Sequence, residues 1–271
     1  MQLQELESIL TEKLAPKIFR LDSEVYGLQY NQGKPNKSLK KVLLTIDLSF
    51  EALHYALQNK VNLIITHHGL VSNPIKKFNQ SLIKKLILLN KYPISIFVLN
   101  SPFIAAEGGI SETLAKVLYL ESVQAFHIKN NRDIEVPIGR ICIPKYYPPE
   151  NDEMTLEDLI LRFRTSFNLS SVRFVGDLKK FIRKICIIGG NFPDIKFLTK
   201  ALNIGCDCYI SGKISYFDAV YGRDMGLSLI EAPQYEIAII TLNKLCNILS
   251  LEFPYAEFLI FESKNPFRTF I

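Results

Sequence analysis

The chain has 271 residues, 48% of them hydrophobic, and a formal net charge of +5 at pH 7. Such a length holds one large or two ordinary domains with substantial cores. No apolar run reaches the roughly eighteen residues that a membrane span needs, and no basic tail or basic helix with interleaved aromatics points to nucleic acid. The charge reads as a solvated surface spread along the chain. Five cysteines, mostly inside apolar segments (Cys142, Cys186, Cys246), suit a reducing cytoplasm. Cys206 and Cys208 would share one strand face and read as small core residues.

In chain order, residues 1–15 alternate charged and apolar positions, which predicts an amphipathic helix rather than a signal peptide. Gly27-Leu28-Gln29-Tyr30 reads as a short strand, and residues 31–38 as a turn rich in Asn, Gly and Pro. Val42 to Ile46 is an apolar run closed by Asp47, the signature of a buried strand. A helix follows, with Ser49 as N-cap and Leu53, Ala56 and Leu57 at helical spacing. Val61 to Ile65 is a second strand, ending in Thr66-His67-His68-Gly69. Strand, helix and strand in about thirty residues make a βαβ unit. Helices are expected over 81–90, 105–118 (with Ser111 as N-cap), 155–167, 215–225 and 236–249. Strands are expected over 92–99, 172–175, 227–230 and 258–261, with short β segments between 121 and 151, among them 139–143. A Pro-Pro-Glu-Asn-Asp loop interrupts the chain at 148–152.

Lys184 to Lys213 repeats the plan of Lys41 to Leu70: lysine, strand, polar turn, helix, Asn or Asp, strand, then Thr or Ser. This weak internal repeat argues for two α/β lobes whose strand ends share a cleft. Ligands bind beyond the carboxyl ends of strands in open α/β sheets, and Asp47, His67 and His68 all fall there. Two neighbouring histidines at such a place are raw material for a metal site, or a strand-end turn with one histidine capping the backbone. Gly189-Gly190-Asn191 could hold an anion on its backbone N–H groups, but it lacks a P-loop lysine, and a tight turn accounts for it better. Ser101, Ser211 and Ser215 have no histidine in triad order. His54 is expected at the surface and His127 in a structural role.

These residues resemble the Nif-three-like dinuclear-metal hexameric proteins, whose members carry the label GTP cyclohydrolase 1 type 2 homologue. The resemblance runs nearly end to end. It rests on Gly27-Leu28-Gln29, the Thr66-His67-His68 segment, Gly108-Gly109 with Leu114-Ala115, Val172 to Gly176, and Asp207 to Gly212. It implies an α/β fold of two lobes with mixed sheets flanked by helices and a cleft between them. The first lobe would span 1–124, with 235–271 packing onto it, and the second 125–234. A toroidal homohexamer and two divalent metals (zinc, iron, manganese or nickel) are also implied.

By the same resemblance, the ligands are the adjacent histidines, an aspartate after the next strand, and a late His and Glu four residues apart. Here only His67 and His68 match. The other positions hold Asn100 and Ile104 after the strand, and Gln234 and Ala238 near the C-terminus. Lys213 and Phe217 stand where the family has Glu and His. Asp47, Asn100, Ile104, Lys213, Gln234 and Ala238 would line the cleft. Isoleucine and alanine cannot coordinate, and two cations close together need carboxylates to offset their charge. The expectation is a weak, single or absent metal and a binding or scaffold protein, with Glu107, Glu231 or Glu236 as conceivable substitute ligands. The alternatives are a metal-dependent hydrolase, whose metal-bound water attacks a purine carbon or a phosphoester, and a nucleic-acid-binding ring. The small-molecule ligand is unknown, and no membrane partner is expected.

Overall fold

The computed structural model describes residues 1–21, 24–31, 38–71, 75, 77–145, 153–192 and 194–268. The interior of the turn expected at 31–38, and the 148–152 loop, lie outside the described residues. The chain divides into two units. The first comprises Met1–Phe103, Asn130–Ile134 and Ala238–Arg268, and the second Ile104–Lys129 and Glu135–Ile237.

In the first unit, α1 (Leu3–Ile9) continues into one π-helical turn over Leu10–Leu14 rather than running as one α-helix to residue 15. The strands are β1 (Gly27–Tyr30), β2 (Lys41–Thr45), β3 (Leu63–Thr66), β4 (Ser95–Val98) and β11 (Glu257–Phe261), ordered β1-β4-β3-β2-β11. Only β1 runs antiparallel to its neighbour. β3 and β4 are buried at every position, which explains their unbroken apolar runs. Two helices punctuate this sheet in sequence, α2 (Phe50–Gln58) and α3 (Gln80–Asn90). Ser49 caps α2 as expected, its hydroxyl accepting from Ala52 N at 3.0 Å. Leu53 and Ala56 of α2 join Leu43, Ile64, Leu89, Ile96 and Val98 in one core, where each large side chain contributes roughly 1.5–3 kcal/mol.

The second unit starts earlier than residue 125. Residues 104–124, expected with the first lobe, supply the end of α4 (Asn100–Ala105), α5 (Ile110–Val117) and the first half of β5 (Leu120–Lys129) to it. β5 pairs antiparallel with β6 (Glu135–Pro144), so the expected short β segments are two ten-residue strands. The sheet order is β5-β6-β8-β9-β10-β7, with β7 (Phe174–Val175), β8 (Ile185–Ile188), β9 (Cys208–Ser211) and β10 (Ser228–Glu231). The helices α6 (Leu156–Phe167), α7 (Ile195–Asn203) and α8 (Tyr216–Asp224) complete it, and α9 (Gln234–Glu252) follows. Thr155 and Asp158 form the expected capping box on α6. Ser111 is not a cap, since Gly109 holds that place; the buried Ser111 hydroxyl instead donates to Ile138 O at 2.6 Å and accepts from Gly189 N at 2.9 Å.

The internal repeat is a repeat of hydrogen bonds as well as of pattern. β2 and β3 are parallel, as are β8 and β9. Asn62, just before β3, accepts from Lys40 N and Lys41 N at 2.9 and 3.2 Å. Asp207, just before β9, accepts from Arg183 N and Lys184 N at 2.9 Å each. In each unit one polar side chain pins the start of two neighbouring strands, and so fixes their register.

Candidate functional site

In the first unit the carboxyl ends of β2, β3 and β4 are stapled together. His67 N and His68 N donate to Thr45 O and Ile46 O, and Asn100 N donates to His67 O. The Thr66 hydroxyl lies 3.0 Å from Ile46 O and 2.9 Å from His68 O. The two histidines are thereby held side by side, with ring centroids 4.4 Å apart.

Their environments differ. His67 is 6% exposed, and its Nδ1 is a buried polar atom without a partner. Burial, helped by the neighbouring His68, pushes its pKa well below the ordinary histidine value, so the ring is neutral. His68 is exposed, and its Nδ1 lies 2.7 Å from Asp47 Oδ1. An ionised carboxylate only accepts, so His68 Nδ1 carries a proton, and in the neutral ring the lone pair is therefore on Nε2. Asp47 thus fixes the tautomer of His68.

Two further residues organise this corner, and the sequence pattern did not expose their roles. Gln29, in the Gly-Leu-Gln segment, accepts from Leu70 N at 2.7 Å and donates to Val71 O at 2.8 Å. It clamps the backbone that leaves the histidine pair. A Cβ at Gly69 would sit 2.9 Å from Gln29 Oε1, so the histidine pair is followed by the one residue that lets the clamp close. Glu24 accepts from Ser101 N at 3.2 Å. Burial raises its pKa, against the opposing pull of Ser101, Arg20 and His68. Its only sequence signal is its place just before Gly27-Leu28-Gln29. Asn100 sits at φ 43 and donates its amide to Val25 O at 3.2 Å. Ala238, also in the first unit, is buried.

In the second unit, Gln234 donates Nε2 to Gly212 O at 2.6 Å. A Cβ on Gly212 would lie 2.8 Å from Gln234, so the glycine is what admits that side chain. Ile104 is buried, and Lys213 is exposed. Gly189 N is occupied by Ser111, and the α7 N-terminus is capped by the Asp194 carboxylate, so the Gly-Gly-Asn turn offers no open anion cradle. Ser215 is the N-cap of α8, and Ser101 bonds to Phe19 O and Leu21 N; neither is set beside a histidine. His54 is exposed on α2, and all five cysteines are free and buried.

The donor set does not fit a dinuclear metal centre. Among the described residues no group of three or more His, Cys, Asp or Glu side chains is placed to hold a metal ion. Of the positions given by the resemblance, Ile104 and Ala238 have no donor atom, and Gln234 has already committed its amide nitrogen.

Comparison with known proteins is consistent over nearly the whole length. A Clostridium perfringens protein named GTP cyclohydrolase 1 type 2 homolog is 27% identical over 99% of both chains. A Lactococcus lactis protein of the same name is 30% identical over 83% of this chain and 82% of its own. The crystal structure of a Staphylococcus aureus hypothetical protein superposes with a TM-score of 0.81 at 21% identity, covering 100% of this chain and 99% of that one, a likeness of fold. The family model described as Duf34/NIF3 (NGG1p interacting factor 3) matches residues 1–266, and the chain belongs to that family.

Proposed function

We propose that this chain is a Duf34/NIF3 protein whose metal centre has degenerated and which works by binding a ligand or partner rather than by metal-assisted hydrolysis. The observation that carries this reading is the chemistry at three positions: Ile104 and Ala238 without donors, and Gln234 bonded to the Gly212 carbonyl. Two divalent cations need anionic oxygen ligands to offset their mutual repulsion. His67 and His68 alone could hold one zinc or nickel weakly, with water completing the shell. Asp47 would orient His68 for that. Five free, buried cysteines support a reducing cytoplasmic setting. A homohexamer belongs to the same proposal, and light scattering of the purified chain measures it.

Metal content after mild dialysis, read by mass spectrometry, tests the central point beside a His67→Ala/His68→Ala double variant. The expected result is well under one equivalent per chain. About two equivalents, lost in the variant, would restore the hydrolase reading.

A further inference from the structure

The charge is less evenly spread than the composition suggests. Between Glu51 and Glu107 there is no acidic residue, while Lys60, Lys76, Lys77, Lys84, Lys85 and Lys91 all fall there. The stretch includes α3, whose buried residues are Leu82 and Leu89, the latter in the core named above. Leu86 and Leu88 are half-buried, and the two isoleucines are left exposed. Ile83 and Ile87, one helical turn apart, are 42% and 54% exposed, and Phe78 and Tyr92 at the two ends of the helix are 64% and 46% exposed. Lys84 and Lys91, seven residues apart, lie on the same exposed side of the helix as the isoleucines. Lys77, Lys84 and Lys91 enter no ion pair among the described residues. Lys85 lies 5.5 Å over the Phe50 ring, which leaves its charge in place.

We infer that α3 and its flanks form a docking surface for an anionic lipid membrane. A solvated helix has no use for a branched aliphatic stripe bordered by aromatic residues and unpaired lysines. An interfacial helix uses each part: the isoleucines and rings enter the headgroup boundary, and the lysines meet the lipid phosphates and carboxylates. A second copy presenting the same face would bring like charges together. Nucleic acid would use the lysines and could stack on Phe78 and Tyr92, but it would leave the two isoleucines between them in water. Among the described residues no helix is long and apolar enough to cross a membrane, so the contact would be peripheral. The cytoplasmic leaflet, with its negative surface potential, supplies the matching charge.

Co-sedimentation of the full chain with vesicles of phosphatidylcholine, with and without phosphatidylserine, tests this. Binding should require phosphatidylserine and fall at high salt. Lys84→Glu/Lys91→Glu should weaken it at least about twentyfold, from about fivefold per lysine. Ile83→Ser/Ile87→Ser should weaken it while keeping the salt dependence. Both pairs are exposed, so thermal melts should stay near wild type and separate loss of docking from loss of fold. Equal partition into both vesicle types, no partition at all, or binding that neither variant alters would overturn the proposal. So would binding of an oligonucleotide or an acidic polypeptide through the same lysines when both vesicles are ignored.

Discussion

Glu24 shows how one buried carboxyl reports on its corner of the protein. Burial holds its pKa above the usual value of 4.5, so the folded state keeps the proton that the unfolded chain has lost. Its effect on stability is therefore absent below about pH 4.5 and becomes a growing penalty as pH rises through the folded-state pKa. Glu24→Gln keeps an acceptor for Ser101 N and removes the ionisation. The variant should match wild type in acid and become the more stable protein as pH rises, with a slope in their difference of up to about 1.4 kcal/mol per pH unit. Parallel urea melts across the range check this, and a pH-independent difference would refute it. His67 and His68 are a further lesson at this scale. Identical neighbours in sequence, they end up as one buried neutral ring and one exposed ring paired with Asp47.

At the scale of elements, the strand-pinning side chains and the Ser111 bridge matter more than helix propensity. Ser111 joins three pieces of backbone: it lies on α5, donates to β6 at Ile138 O and accepts from Gly189 N beyond β8. Removing the hydroxyl leaves a buried donor and a buried acceptor unpaired. Ser111→Ala should cost about 1–3 kcal/mol in a denaturant melt, whereas loss of a surface cap would cost about 1. Asp207→Ala should cost less, about 1 kcal/mol, because the amides of Arg183 and Lys184 that bond to its carboxylate lie nearer the surface and can turn to water. A serine at a helix start reads as a cap from sequence. Only the neighbouring strands reveal that this one is turned inward.

For the whole molecule, the proposal that the metal centre has degenerated makes a thermal prediction. A ligand bound only by the folded state raises stability in proportion to the logarithm of its concentration over Kd. On that proposal, chelation by EDTA should move the melting temperature by less than about 1 °C. A drop of several degrees, reversed by added zinc or nickel, would show a tight resident ion. The docking surface on α3 belongs to this scale too, because it depends on a run of residues that lacks any acid and on which of them the core leaves exposed.

The sequence by itself determined the βαβ repeat and the strand ends carrying Asp47, His67 and His68, because periodicity and residue chemistry are local properties. Matched segments such as Thr66-His67-His68 pointed to the family by resemblance. Tertiary structure alone decided which unit holds residues 104–124, that Gln29 clamps the chain beyond the histidine pair, and that Gln234 spends its amide on Gly212. It also decided which apolar residues of α3 stay in water. Those outcomes depend on contacts between residues far apart in the chain, whose partners no local pattern names.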